Sequence, residues 1–405
     1  MVLLIKYYIG ILIFFFPVLI AIYSQLSFFL ILGLILTIVS SFSKQKYHSF
    51  EKEEIWVLLS FAIFFLHIIL FSLSSDFIIR DIDKYSRFLL VLPFYFYIKR
   101  TDISPKYLIF GIVLSSIVLG ILSIAHTVLS LDYLFIKHSG IVALIASVVG
   151  LSCLYGIHQD FSKKFNAILL IAGILSLLLL INTGARGVLF ASFITMIFLN
   201  FFKILKGSRF FNMTIVVTII CLIIAVIFSA NFNQRVKLIY SGINEYAYSF
   251  NPDISHGESV ISRLELWKTA LIISNRDILF GIGLNKFKSA KDELIDKGEV
   301  QNFVKRYRHP HGEFLSTIVE RGLIGLVFLL GVFISPLYYC FKYTGKSRGD
   351  PEKRFLILII AVTSLQYLGY SITNGVFDHQ TTTLFYAFLV VTCLGFAGKT
   401  IKEKT

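Results

Sequence analysis

The sequence predicts an all-α polytopic membrane protein, with about 12 transmembrane helices and one large extracytoplasmic loop between spans 9 and 10. Three observations predict it. Hydrophobic residues make up 56% of the 405-residue chain and charged residues only 15%, against about 25% charged in a typical soluble protein. A globule of that size has no interior large enough for 41 Phe and 20 Tyr, so the solvent must be lipid. Apolar runs of spanning length recur along the chain, and the basic residues sort between alternate connections as the positive-inside rule demands. The 38 Lys and Arg against 24 acids thus have a use in orientation, and no nucleic-acid partner is expected.

Taken in order, the predicted spans are residues 7–23, 25–42, 55–74, 87–98, 107–127, 140–158, 166–183, 187–202, 212–230, 322–341, 355–374 and 382–397. Lys6 precedes an apolar stretch with no small-residue cleavage pattern, so the first run reads as a retained span rather than a signal peptide. With the N-terminus in the cytoplasm, the cytoplasmic segments collect twenty Lys and Arg, whereas the short external connections hold only Arg80, Lys84, Arg87, Lys137 and Arg186. Both termini are therefore expected in the cytoplasm. The other thirteen basic residues lie in 231–321 with eleven acids, and so long a segment crosses regardless of charge. The chain divides into 1–230 with nine spans, the large loop 231–321, and 322–405 with three spans and a tail. Cys153, Cys221, Cys340 and Cys393 sit inside apolar runs and read as small buried hydrophobes.

Charge and chemistry gather outside. Arg186, in Asn182-Thr-Gly-Ala-Arg-Gly187, lies between two apolar runs near the external face. It either snorkels to end a span or holds an anionic lipid phosphate, a task suited to the planar guanidinium fork. Ser262 to Ile273 places Leu264, Trp267, Ala270 and Leu271 at helical spacing, as for a helix lying on the membrane with one apolar face down. Arg263 stands one turn from Trp267. A glycine-punctuated turn follows, Leu279-Phe-Gly-Ile-Gly-Leu-Asn-Lys286, then Lys288 and Lys291. The sharpest feature is Lys305-Arg-Tyr-Arg-His-Pro-His-Gly-Glu-Phe-Leu315. Pro310 and Gly312 keep His309 and His311 out of a regular helix, and a helix is expected to start near Glu313. Two imidazoles then stand beside a helix N-terminus, which favours anions and neutral His. Imidazole is suited to proton exchange near neutral pH; the alternatives are a turn hydrogen bond or a metal ligand of a His-x-His-x-Glu set. Together the residues suggest a site at the lipid surface, with arginines for a phosphate group and a histidine for a proton. A polyprenyl diphosphate is the substrate class that fits, with Arg in place of a metal; no metal or other cofactor is expected.

Thr183-Gly-Ala-Arg-Gly187, Arg263 with Trp267, Gly281-Ile-Gly-Leu284, His309-Pro-His-Gly-Glu-Phe-Leu315 and Glu320-Arg-Gly-Leu-Ile-Gly325 follow one another in an order and spacing that resembles the O-antigen ligase/polymerase family. Gly312 stands where that family more often has Asn. The resemblance implies an inverting, metal-independent glycosyltransferase of the bacterial inner membrane, with its active site on the periplasmic face. It would move a glycan from undecaprenyl diphosphate to lipid A–core, the O-antigen ligase reaction. Carried over residue by residue, Arg186 and Arg263 match the diphosphate-binding arginines, and Arg308, in the basic stretch just before His309, is expected as a third diphosphate-binding residue. His311 matches the base, His309 is the runner-up, and Glu313 is the group that orients either imidazole. An O-antigen polymerase, using the same lipid-linked donor, is the alternative within the family. A transporter of a polyprenyl-linked or anionic solute is the alternative outside it, but it would place ionisable groups in mid-span. Here only His67 and His126 stand out there.

Overall fold

The computed structural model describes residues 2–22, 31, 35, 38, 50–73, 79–129, 139–201, 258–347 and 349–399. Among them every regular element is helical and no strand occurs, as lipid requires when backbone groups must be satisfied within each segment. The helices are α1 (Val2–Ile22), α2 (Lys52–Leu73), α3 (Ile79–Leu90), α4 (Leu92–Arg100), α5 (Lys106–Leu129), α6 (Ser139–Gly156) and α7 (Lys163–Asn182). They continue as α8 (Arg186–Phe201), α9 (Glu258–Ser274), α10 (Phe287–Asp296), α11 (Glu313–Thr344), α12 (Pro351–Tyr370) and α13 (Gln380–Lys399). Six are long and apolar enough to cross a membrane: Leu4–Ile22, Lys52–Leu73, Lys106–His126, Lys163–Asn182, Glu313–Ser347 and Gln380–Lys399. Predicted span 212–230 and loop residues 231–257 lie outside the described residues, as does 25–42 apart from Ile31, Ile35 and Ile38.

The bundle is built around α13. The whole apolar window of that helix is buried in protein, and α12 is buried along nearly all its length. The surrounding helices turn one face inward and leave Ile11, Leu66, Leu70, Ile171, Val327 and Phe341 exposed, apolar surface that only lipid can cover at low cost. The segment predicted as a fourth span is instead the junction of two short helices, of 12 and 9 residues. Pro93 sits in the first turn of α4, where its missing N–H removes no helical bond. Neither piece alone crosses hydrocarbon.

A second, smaller core lies outside the bundle. Leu266, Ala270 and Ile273 of α9 pack on Phe287, Leu294, Val304 and Val319. This differs from the face expected to lie on lipid: Leu271 is exposed, and Glu265 and Thr269 are buried with the apolar residues. The reason is that α9 has protein partners, α10 and α11, and buries the face that meets them.

Helix α11 joins the two cores and is broken where they meet. Gly322 adopts φ 64°, ψ −166° inside it, a conformation open to glycine alone at low cost. The amides freed by the break find carbonyls on the glycine-punctuated turn: Leu323 N–H donates to Ile278 O at 2.9 Å and Ile324 N–H to Leu279 O at 3.3 Å. In return Ile282 and Gly283 donate to Val319 O and Glu320 O at 2.8 and 3.0 Å. A Cβ on Gly322 would stand 2.1 Å from Leu279 O, and one on Gly281 2.5 Å from the Arg321 amide. The glycines of this stretch thus serve close backbone approach.

Candidate active site

The site is assembled on the start of α11. Glu313 opens that helix as expected. The two residues before it hold unusual backbone: His311 has φ +54° and Gly312 φ +150°. A non-glycine residue in the left-handed region costs energy and persists only when its surroundings over-determine it. Two N–H donors do so here. Trp267 Nε1–H of α9 donates to the His311 carbonyl at 2.9 Å. The Glu313 amide donates to Ser371 O at 2.8 Å and to Asn374 O at 3.2 Å.

A buried amine shapes the chain just upstream. Lys291, fully buried on α10, donates to the carbonyls of Val304, Lys305 and Tyr307 at 2.9, 2.8 and 2.5 Å. These acceptors gather the end of the 3-10 turn Asn302–Arg306 around one ammonium and so fix where the His309–His311 segment begins. Burial pushes the Lys291 pKa down, against the partial support of Asp292.

The second floor of the site is the connection from α12 to α13, residues 371–379. Besides the two carbonyls given to Glu313 N–H, it supplies the Phe377 amide, which donates to the Glu313 carboxylate at 3.1 Å. Glu313 is 2% exposed, and this carboxylate closes the loop onto α11. Asp378 of the same loop pairs with Lys84 of α3 at 3.1 Å. Burial raises the Asp378 pKa, but the charges of Lys84 and His309 outweigh it and hold the carboxyl below its usual value.

The sequence-predicted residues divide into two groups around this loop. Arg186 is the first residue of α8 and is exposed. Its neighbour Gly187 is pressed on the end of α12, where a Cβ would stand 3.0 Å from the Tyr370 ring and 2.5 Å from Thr373 Oγ1. Arg263, half-buried on α9, is in electrostatic reach of both Tyr370 and His311. Arg186, Arg263 and His311 are thus brought to the Tyr370 end of α12. His311 also meets the Tyr307 ring edge-on, centroids 5.3 Å apart. Burial first, then the Arg263 and His309 charges, push its pKa below the ordinary imidazole value, with Asp378 opposing; the ring is therefore held neutral. Arg308 is exposed.

His309 and Glu313 belong to the other group. They line a cleft open to solvent, whose walls include Lys84 and Tyr85 from α3, Asn285, Glu320 and Arg321, and Asp378. None of Lys84, Glu320, Arg321 and Asp378 was singled out from the sequence as a site residue. Lys84 counted only toward orientation, and Arg321 lay inside a motif read as the start of a span. Among the described residues, no group of three His, Cys, Asp or Glu side chains is placed to hold a metal ion.

Comparison with known proteins gives a family match and a relative. Residues 171–330 match the sequence model of the O-Antigen ligase family, a stretch that runs from Arg186 through Arg263 to the His309–Arg321 segment. A protein of Haemophilus influenzae (strain ATCC 51907 / DSM 11121 / KW20 / Rd), described as "Uncharacterized protein", is 23% identical over 349 residues, which is 84% of this chain and 85% of that one. Over residues 171–330 the chain carries the domain of the O-antigen ligase/polymerase family.

Proposed function

We propose that the protein is an O-antigen ligase: a multi-pass inner-membrane glycosyltransferase that moves a glycan from undecaprenyl diphosphate to a sugar hydroxyl of lipid A–core on the periplasmic face. The observation that carries the reading is the meeting of two guanidinium-bearing elements and a neutral histidine at the Tyr370 end of α12. Gly187, next to Arg186, abuts Tyr370, and Arg263 acts on both Tyr370 and His311. The acceptor oxygen attacks the anomeric carbon from the face opposite the diphosphate, and the carbon–oxygen bond to the diphosphate breaks, so configuration inverts. His311 takes the hydroxyl proton as general base, the task for which a neutral imidazole is suited. Arg186 and Arg263 stabilise the negative charge that grows on the leaving diphosphate. Glu313 serves by closing the 371–379 loop onto α11, with His309 at the mouth of the cleft. No metal ion enters this scheme. Both termini face the cytoplasm, and the 231–321 segment faces the periplasm.

The test is deletion of the gene, followed by analysis of surface polysaccharide and of lipid-linked intermediates. Loss of a ligase leaves polymerised glycan on the lipid carrier and none on lipid A–core. Accumulation of single repeat units would instead assign the chain as an O-antigen polymerase, and an unchanged pool of lipid-linked glycan would remove it from this chemistry.

A further inference from the structure

The cleft on the other side of the histidine pair has a feature that the diphosphate chemistry leaves unused. Arg321 is 1% exposed, yet only Nη2 is committed, donating to Thr317 Oγ1 at 2.8 Å. Its Nε and Nη1 have no hydrogen-bond partner. The guanidinium carbon lies 5.2 Å from the Phe64 ring centroid and 5.7 Å from that of Tyr85, contacts that favour the charge but occupy no N–H. Buried donors left unmet are costly, more so on a cation. Such a group is retained at low cost only where something else supplies the acceptor.

The composition of the cleft narrows what that is. Its other cation, Lys84, is already bound to Asp378. Glu313, Glu320 and Asp378 add three carboxylates to the walls, and one oxygen of Glu320 accepts the Asn285 amide at 3.2 Å. Three carboxyl groups beside two cations, one of the cations already paired, leave a polyanion such as a diphosphate little free positive charge to bind. They are, however, hydrogen-bond acceptors for neutral hydroxyls, while the uncommitted N–H groups of Arg321 ask for an acceptor with negative charge. A sugar bearing one acidic substituent satisfies both demands. The cleft is also placed for it: His309 is part of its wall, and Asp378, another wall residue, acts electrostatically on His311.

We infer that this cleft is the acceptor subsite and that Arg321 binds an anionic substituent, a carboxylate or a phosphate monoester, on the acceptor sugar. The inference rests on the glycosyl-transfer reading above and adds to it the charge of the acceptor. It assigns specificity to Arg321, a residue distinct from the arginines that hold the donor.

The experiment is ligand-observed NMR on the full-length protein in detergent, with glucose, glucuronic acid and glucose 6-phosphate as sugar probes and inorganic pyrophosphate as the donor-headgroup probe. An acidic sugar should bind about tenfold tighter than glucose, the scale of one hydrogen bond to a charged group, and the preferred acid identifies the substituent. Arg321→Met should abolish that preference and leave pyrophosphate binding unchanged. Equal binding of glucose and both acidic sugars to the wild-type protein overturns the inference without reliance on any variant. So does an Arg321→Met protein that keeps the preference, or one that loses pyrophosphate instead, which would make the cleft a diphosphate site. Arg186→Ala tests the donor reading separately: pyrophosphate binding that survives it counts against that reading, while a retained acidic-sugar preference would still support the cleft assignment.

Discussion

The two ends of α11 carry buried charge in opposite conditions. Near its C-terminal end, Lys342 is bonded to Glu53, whose other oxygen accepts the Tyr343 hydroxyl at 2.8 Å. The adjacent Glu54 meets Lys99 at 2.9 Å with both side chains fully buried, and takes the Tyr95 hydroxyl at 2.9 Å. Roughly 30 Å away along the helix, at 1.5 Å per residue, Arg321 is as deeply buried but leaves two nitrogens without partners. Residues of comparable burial thus do different work. Paired charges tie α2, α4 and α11 together, whereas unmet donors beside an open cleft have a ligand as their natural complement. Burial alone does not distinguish structure from site; the ion-pair partner present at one end and the uncommitted N–H donors at the other do.

That contrast can be broken by stability measurements. Lys99→Met leaves Glu54 buried without its cation, and removal of one partner of a buried ion pair costs about 3–5 kcal/mol. Thermal unfolding in detergent should show a large fall in midpoint. Arg321→Met should be far milder, within about 1 kcal/mol of wild type, because the lost ring contacts and one hydrogen bond are offset by removal of unmet donors. Equal destabilisation by the two substitutions would make Arg321 a structural cation and remove the contrast.

A smaller effect sharpens the electrostatics. A base works only while neutral, and the His311 pKa is pushed below the ordinary imidazole value by burial and by the Arg263 and His309 charges. Activity should therefore fall, as pH is lowered, with a midpoint below the usual value of about 6.5. Arg263→Gln removes one charge that disfavours imidazolium, so in the activity that remains the midpoint should move upward. A pH–rate profile unmoved by that substitution would separate Arg263 from His311.

Much of the bundle was legible in the sequence because apolar runs of spanning length report directly on lipid. The start of α11 at Glu313 was legible for a local reason, since Pro310 and Gly312 punctuate the chain just before it. The junction of α3 and α4 was not, because its apolar residues form a run although the helix is interrupted at Val91. The face of α9 was misjudged because its partners, α10 and α11, are set by tertiary packing. The same limit hid much of the cleft. Lys84 and Asp378 are 294 residues apart in sequence and are joined only by the fold. A polar turn between the last two helices, Asn374 to Gln380, was the available signal for Asp378. For Arg321 it was a basic residue next to Gly322 at the mouth of an apolar run.

The central claim is that His311, held in strained backbone by Trp267 and the 371–379 loop, is the base of a glycosyl transfer. The direct measurement is single-turnover transfer by His311→Ala, beside His309→Ala, with lipid-linked donor binding measured on the same preparations. The account predicts that His311→Ala slows transfer by about 10²–10⁴, the usual range for general acid–base catalysis, with donor binding retained because Arg186 and Arg263 remain. His309→Ala should fall much less. Normal transfer by His311→Ala, with or without loss in His309→Ala, would contradict the claim.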